Sequence, residues 1–575
     1  MSSILPYSDQ RKWFQDIPIP LLALGCAVLT GLILRLWGIH WGFPRVDLSP
    51  DELNVWNISA GLSWQDLDTH FYNYSGLTFY LNFFSAQLAR LFGVTLHPHT
   101  ILLINRLWSV FFGTLTIPLA YLAARDFFSE AKAGAWAAWM VALLPIHVWH
   151  SHFGTSDISL VFWITAAFWL ALRAFQKPGA ARFILGGLAV GVAIGVKFNG
   201  MLAGIFFLAA ALASWWEKRI RSFPQAMLFL FLAGAAAMVG FFLVSPFSII
   251  HLKATVSAFF FESAHVKGGH YGFDLSPGGW PYIPYIYQFF SAFPFSFGLP
   301  LYLAAVSGVA FFILSRKKTE VLLGLAFPFL YLGIVASWKF VPSRYYLPVL
   351  PITLILASWG AFRLFSASRG WLRAMAWLLA VPLFAYTLAY DISTVDRFRS
   401  DTRLEAAQWA ERELPPKSRI ILVDPIFDRR FIVPADSPGP MPFSVSLSTV
   451  MGKSYMPLFD GSNFEVLTKD LRGTVFDLQR GKLGRGDILI LSSLVFLRDV
   501  RLGEKAAERL RLWNSIRRNP RKFRRLRVFD APFINREIYA ALDPMFACDF
   551  VSPTIEFYEP LARRRPPFTS GDARR

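Results

Sequence analysis

An α-helical polytopic membrane protein of about eleven transmembrane helices, ending in a small α/β domain, is the fold class that this sequence predicts. Three observations carry it. Of 575 residues, 54% are hydrophobic and 17% aromatic, and only 17% are charged; a soluble globular chain has about 45–50% apolar and roughly a quarter charged residues. Apolar runs recur along the chain, many near the 18–20 residues or so that cross a hydrocarbon layer of roughly 30 Å. After residue 391 the composition turns polar, Pro-punctuated and Arg-rich.

The apolar runs place spans near 18–37, 101–123, 132–149, 158–176, 183–196, 199–215, 226–245, 284–314, 319–337, 345–363 and 373–391. The runs 183–196 and 199–215 are short and read equally as a broken pair around "VKFNG" (196–200). The first run is too long for a signal-peptide core and lacks a small-residue cleavage site. "LALGC" (22–26) fits a lipoprotein box poorly, so Cys26 reads as an ordinary span residue. With Cys548 it makes two cysteines, too few for a disulfide framework.

The net charge of +19 raises nucleic acid as a partner, but Lys and Arg cluster in short loops and no nucleic-acid-binding motif is present. Arg11/Lys12, Arg125/Lys132, Arg173/Lys177/Arg182, Lys218/Arg219/Arg221, Arg316/Lys317/Lys318 and Arg363/Arg369/Arg373 all fall on one side of the span pattern. That side reads as cytoplasmic. The expectation is a multi-pass protein of the cell (inner) membrane with a cytoplasmic N-terminus. Loops 38–100 and 246–283 and everything from residue 392 then lie outside, dividing the chain into a membrane module (1–391) and an extracytoplasmic domain (392–575).

In the outer loops, "GLTFYLNFFSAQLARLF" (76–92) repeats apolar residues at helical spacing and suits a helix in the headgroup zone. "HLKATVSAFFFESAH" (251–265) is a weaker case. In the last domain "SRIILVDP" (418–425) and "GDILILSS" (486–493) read as buried strands, and 401–414 and 503–518 as helices. The basic stretch "NPRKFRRLRVFD" (519–530) reads as a solvated face, with anionic lipid headgroups as the alternative. No internal repeat is evident.

Ionisable groups near lipid are costly and point to function. Asp51 and Glu52 stand in "SPDEL" (49–53), which also reads as a helix start: Ser49 as cap, Pro50 in the first helical position, acids in the first turn. Asp157 follows "HFGTS" and, with Thr155 and Ser156, reads equally as a cap of the next span. Both loops stay near the outer surface, so two carboxylates from separate loops can meet there. Lys197, Lys339 and Arg344 break the inside bias at outer span ends. They read either as snorkelling side chains or as a site for an anion, with phosphate the natural choice for a lipid-facing site. His147, His150 and His152 cluster, as do Glu262, His265 and His270 along one outer loop. Either set would suit a divalent metal ion, but neither has a specific ligand spacing, so no cofactor is assigned. The sequons at Asn57 and Asn73 matter only in a eukaryotic secretory setting.

Taken in order, the acid pair at 51–52, "SHFGTSD" (151–157), "GVAIGVKFNG" (191–200), "KFVPSRYYLPVLP" (339–351) and "DTRLEAAQWAERELPPKSRI" (401–420) resemble the bacterial branch of the C-type (GT-C) glycosyltransferases. These are related to protein O-mannosyltransferases and to the lipid A aminoarabinose transferase. The resemblance spans most of residues 18–420 and implies a GT-C fold with a cavity open to the outer leaflet. It also implies a polyprenyl-phosphate sugar donor, a protein, lipid or glycan acceptor, and an inverting single displacement. Carried over, it makes Asp51 the base with Glu52 beside it and Asp157 the second acid. It sets Lys197 and Arg344 near the lipid phosphate, with Lys339 and Tyr345 in support. His152, Glu262, His265 and His270 become substrate-loop candidates. Relatives often carry prolines where this chain has "NYSGLTFY" (73–80). The competing expectations are a flippase for lipid-linked sugars, which would favour mid-membrane charges and repeat symmetry, and a non-catalytic scaffold whose acids only cap helices.

Overall fold

The protein is described by a computed structural model, which covers residues 18–42, 50–269, 283–339, 342–399, 401–423, 465–531, 533–534, 536–538 and 553–562. Ser49 and His270 lie outside the described residues. Among those described, eight helices are long and apolar enough to cross a membrane, from Ile19–Leu36 to Gly370–Asp396. Of the other three expected spans, one is a shorter helix that ends at the expected break, and two take shapes that an apolar run does not reveal. Ala180–Val196 is a 17-residue helix. The run 284–314 is a pair, Gln288–Phe297 and Leu299–Ser315, bent by 116°. The run 132–149 is two pieces, Ala131–Ala142 and Pro145–His150. The chain is thus a polytopic α-helical membrane protein with a C-terminal α/β domain.

The break before Pro145 has a local cause. Proline has no N–H to donate to the carbonyl four residues back, which here is that of Val141. Arg35, fully buried in the first helix, donates to the carbonyls of Val141 at 3.4 Å and Ala142 at 3.2 Å. It also reaches Gly31 O at 2.8 Å and His147 Nδ1 at 2.9 Å. A cation inside the first span therefore serves the backbone of a broken neighbour.

Small residues bring two helices into contact. A Cβ on Gly187 would meet Ala233 O at 2.1 Å, and one on Gly191 would meet Ala237 O at 2.1 Å. Helices Ala180–Val196 and Phe223–Val244 thus touch backbone to backbone, the close approach that spaced glycines permit in membranes.

In the C-terminal domain a five-stranded sheet runs β2-β1-β3-β5-β4. Its strands are β1 (Arg419–Val423), β2 (Glu465–Lys469), β3 (Asp487–Ser492), β4 (Phe523–Phe529) and β5 (Ile555–Pro560). β1 is parallel to β2 and β3, and β5 is antiparallel to β3 and β4. Ile420 and Leu422 pack with Ala406, Ala407 and Ala410 of helix Thr402–Glu413. Ile421 and Val423 pack on the other face with Trp513 and Ile516 of helix Ala507–Arg517. Burial on both faces explains why β1 and β3 read as continuous apolar runs. The basic stretch 519–530 contains β4, one of the two edge strands, where Arg524 pairs with Glu559. Lining an edge with charge opposes unwanted strand pairing.

Two outcomes follow. Gly191→Ala must push the paired backbones away from each other and should cost on the order of 1–3 kcal/mol, read as a lowered thermal midpoint of the detergent-solubilised protein. In the last domain, burial alone would raise the Glu556 carboxyl, but Arg517 at 2.6 Å and the Tyr558 hydroxyl outweigh it and hold the carboxyl below its ordinary 4.5. A depressed carboxylate stabilises the fold above its unfolded value. That contribution should vanish as pH falls below 4.5 through the lowered native value, and Glu556→Gln should flatten the acid limb of a denaturant-unfolding profile.

Candidate functional site

Four charged side chains from four separate chain segments meet at helix ends or breaks. Asp51 sits in the first turn of helix Pro50–Gly61, with Pro50 in the first helical position as expected. Asp157 opens helix Asp157–Gln176. Lys197 occupies the extended residue between helix Ala180–Val196 and the 3-10 turn Phe198–Ala203. Arg344 lies in the 3-10 turn Ser343–Val349 that leads into helix Leu350–Phe365. Acids at helix N-termini are favoured by the backbone dipole, so their placement costs the fold little. The cap expected at 155–157 is absent, since the helix start has no side-chain cap bond. Asp157 instead turns to the cations.

The charges alternate. Asp51 Oδ2 lies 2.8 Å from Arg344 Nη2, Arg344 Nε lies 4.0 Å from Asp157 Oδ2, and Asp157 Oδ1 lies 2.9 Å from Lys197 Nζ. Asp51, Arg344 and Lys197 each keep about a quarter of their side-chain surface open, at 25%, 27% and 22%, and Asp157 keeps 8%. A group so placed is partly desolvated yet still reachable. Tyr345 lies under both cations, its ring centroid 5.5 Å from Lys197 Nζ and 5.6 Å from Arg344 Cζ.

Neutral residues that the sequence does not advertise complete the arrangement. Tyr74 places its hydroxyl 3.4 Å from Asp51 Oδ1 and its ring 5.7 Å from Lys197. The Asp51 charge, and then burial, push the Tyr74 phenol well above its usual 10, so it stays protonated. Asn199 Nδ2 donates to Tyr331 Oη at 2.8 Å, which donates to the Tyr345 carbonyl at 3.0 Å. The turn holding Lys197 is thereby tied to the turn holding Arg344.

Glu52 is committed elsewhere, one helical step of about 100° from Asp51. It is fully buried, as is Arg106, whose Nε and Nη2 donate to its two oxygens at 2.8 and 3.3 Å. Gly154 N donates to the same carboxylate at 2.8 Å. Arg106 Nη1 donates to the carbonyls of Ile39 and Trp41. A Cβ at Gly154 would lie 2.6 Å from Asn105 Cβ, so only glycine lets this loop close on the helix. Both oxygens of Glu52, expected beside Asp51, are therefore engaged in a buried structural staple.

The remaining candidates sit away from the four charges or at their edge. Lys339 is exposed and its ammonium reaches the Gly268 carbonyl at 3.4 Å. His152 is buried, with ring nitrogens on the carbonyls of Val148 and Trp37 and its ring stacked 4.2 Å from Phe398. Glu262 accepts from Asn73 Nδ2 at 2.7 Å, one residue from Tyr74. His265 stacks near Phe261 in the last turn of helix Leu252–Gly268. Among the described residues no group of three or more His, Cys, Asp or Glu side chains is arranged to hold a metal ion.

Residues 94–265 match the family model of dolichyl-phosphate-mannose-protein mannosyltransferases. Over that segment the chain resembles the mannosyltransferase family, and the segment carries Asp157 and Lys197. No curated protein matches the chain. Solved structures similar to it include the oligosaccharyltransferase of Archaeoglobus fulgidus, at 17% identity over 75% of this chain with a TM-score of 0.47. The chain spans 62% of that enzyme's length. ArnT of Cupriavidus metallidurans, bound to undecaprenyl phosphate, is 14% identical over 93% of this chain and 97% of its own, with a TM-score of 0.43. The Pmt1-Pmt2 protein O-mannosyltransferase complex of Saccharomyces cerevisiae, bound to its sugar donor, is 19% identical over 42% of this chain and 34% of its own, with a TM-score of 0.33.

Removing Arg106 would leave the Glu52 charge buried and unpaired. Arg106→Ala should cost roughly 3–5 kcal/mol, seen as a large drop in thermal midpoint. Lys339→Ala, at an exposed position, should leave the unfolding free energy within about 0.5 kcal/mol of the parent, with the thermal midpoint little moved.

Proposed function

We propose that this chain is an integral-membrane glycosyltransferase that moves a sugar from a polyprenyl-phosphate donor to an acceptor outside the membrane, by a single inverting displacement. The observation that carries this reading is the alternating Asp51–Arg344–Asp157–Lys197 chain at helix ends. The match of residues 94–265 to the mannosyltransferase family supports it. The orientation read from the loop charges puts this site on the outer side of the cell membrane, with the C-terminal domain (392–575) on the same side.

Each group then has a task. A donor phosphate brings its own negative charge to Lys197 and Arg344 and takes the place of Asp51 on Arg344. Arg344 offers a planar fork and Lys197 a point charge. The exchange releases Asp51 from its 2.8 Å pair with Arg344. The freed carboxylate takes the proton of the acceptor hydroxyl or amine as the new bond to the anomeric carbon forms. The bond from that carbon to the phosphate oxygen breaks, and the electron pair leaves with the polyprenyl phosphate. Lys197 and Arg344 stabilise this growing charge. Asp157 stays with Lys197 and holds it in place, and Tyr345 walls the cations. The transferred group is a hexosyl or pentosyl unit, and the acceptor a protein, lipid or glycan.

The test uses purified protein in nanodiscs with radiolabelled polyprenyl-phosphate sugars and a panel of acceptors. Asp51→Asn should lower transfer by about 10²–10⁴-fold while polyprenyl phosphate still binds. Transfer by the Asn variant at the parent rate removes Asp51 as the base, and no transfer by the parent with any donor overturns the reading.

A further inference from the structure

The C-terminal domain reaches the membrane module through a buried arginine. Arg501 belongs to helix Ser493–Leu502 and is 7% exposed. Its Nη2 lies 3.3 Å from Tyr287 Oη, and its guanidinium lies 5.5 Å from the Tyr287 ring. The helix that carries it is anchored within its own domain. Its Asp499, fully buried, accepts from Trp513 Nε1 at 2.6 Å and from Arg509.

Tyr287 immediately precedes a π-helical turn, Gln288–Ala292, in the first arm of the 116° bend. Such turns cost backbone geometry and recur at functional sites. The next residue, Gln288, is 1% exposed, and its amide nitrogen Nε2 donates to Tyr346 Oη at 2.8 Å. Tyr346 is fully buried and also meets the edge of Phe293 from the same bend, at 5.6 Å between ring centroids. Tyr346 lies in the 3-10 turn Ser343–Val349 that presents Arg344 and Tyr345. The turn is therefore held from two sides: from the Lys197 side through Asn199 and Tyr331 to the Tyr345 carbonyl, and from the outer domain through Arg501, Tyr287, Gln288 and Tyr346.

We infer that Arg501, Tyr287, Gln288 and Tyr346 are positioning residues through which the docked C-terminal domain sets the turn that aims Arg344 at the donor phosphate. A second docking contact fits this. Phe533 of the outer domain packs on Tyr390 at 5.1 Å and on Phe295 at 6.4 Å, with Arg397 5.5 Å above its ring. Phe295 lies in the Phe293–Phe297 helix of the same bend. Both contacts thus press on the segment that backs Tyr346. The inference rests on the reading of Arg344 as a phosphate ligand.

Binding of undecaprenyl monophosphate to the full chain in nanodiscs tests it, alongside the donor KM and kcat of transfer. Arg501→Ala and Gln288→Leu should each weaken phosphate binding by about tenfold and raise KM more than they lower kcat. Arg501→Lys, which keeps a cation over the Tyr287 ring, should recover most of the loss. Tyr346→Phe deletes one oxygen inside the membrane module, and it should weaken binding in the same way even if Arg501→Ala fails to fold. Binding by Gln288→Leu and Tyr346→Phe equal to that of the parent, with Arg344→Ala losing it, overturns the relay and leaves the proposed function standing. No binding by the parent protein overturns both.

Discussion

The buried pair of Arg106 and Glu52 is the constraint on which the charged site of this molecule depends. Two charges without exposed surface are held by a two-pronged contact, a backbone N–H from Gly154 and two backbone carbonyls. An ion pair so deep offsets its desolvation only when nearly every donor and acceptor is satisfied, and this one nearly is. Its geometry therefore tolerates little drift. Glu52 fixes the start of helix Pro50–Gly61 and so the position of Asp51. Gly154 fixes the loop three residues before Asp157. One contact thus registers two acids from distant segments against each other.

The site it organises is neutral as it stands, with two carboxylates on two cations. Neutrality lets the arrangement survive beside lipid without substrate, since unpaired charge there is costly. It also makes an anionic ligand a competitor for the carboxylates and not merely an addition. In the proposed transfer, ligand entry and release of the base then become one event, which ties proton abstraction to the presence of the phosphate.

The sequence made the membrane module legible because lipid demands long apolar runs, and made β1 and β3 legible because a sheet covered on both faces does the same. Apart from the break at 196–200, it could not show where an apolar run is interrupted. The pieces around Pro145 and the bend at Gly298 are as hydrophobic as intact spans, and the carbonyls freed at Pro145 are served by Arg35, a side chain from elsewhere in the chain. Asp51, Asp157, Lys197 and Arg344 stand out because charge is rare at span ends. Glu52 beside Asp51 looks equivalent in one dimension, yet a helix turns it away to Arg106. Lys339 also stood out by its sign and spacing, but its ammonium goes to the Gly268 carbonyl. Tyr74, Asn199, Tyr331 and Gln288 carry no charge and act through partners up to 132 residues away, a relation that periodicity does not encode.

The Asn199–Tyr331–Tyr345 tie has a consequence for how substrate range can change. It ties the interval between the two cations to a hydrogen-bonded link between the two turns that carry them. On the proposed reading, a gauge built this way measures the group common to all donors of one chemical class and ignores what is attached to it. Choice of sugar and acceptor then falls, on the same proposed reading, to the segments around Tyr74 and Glu262.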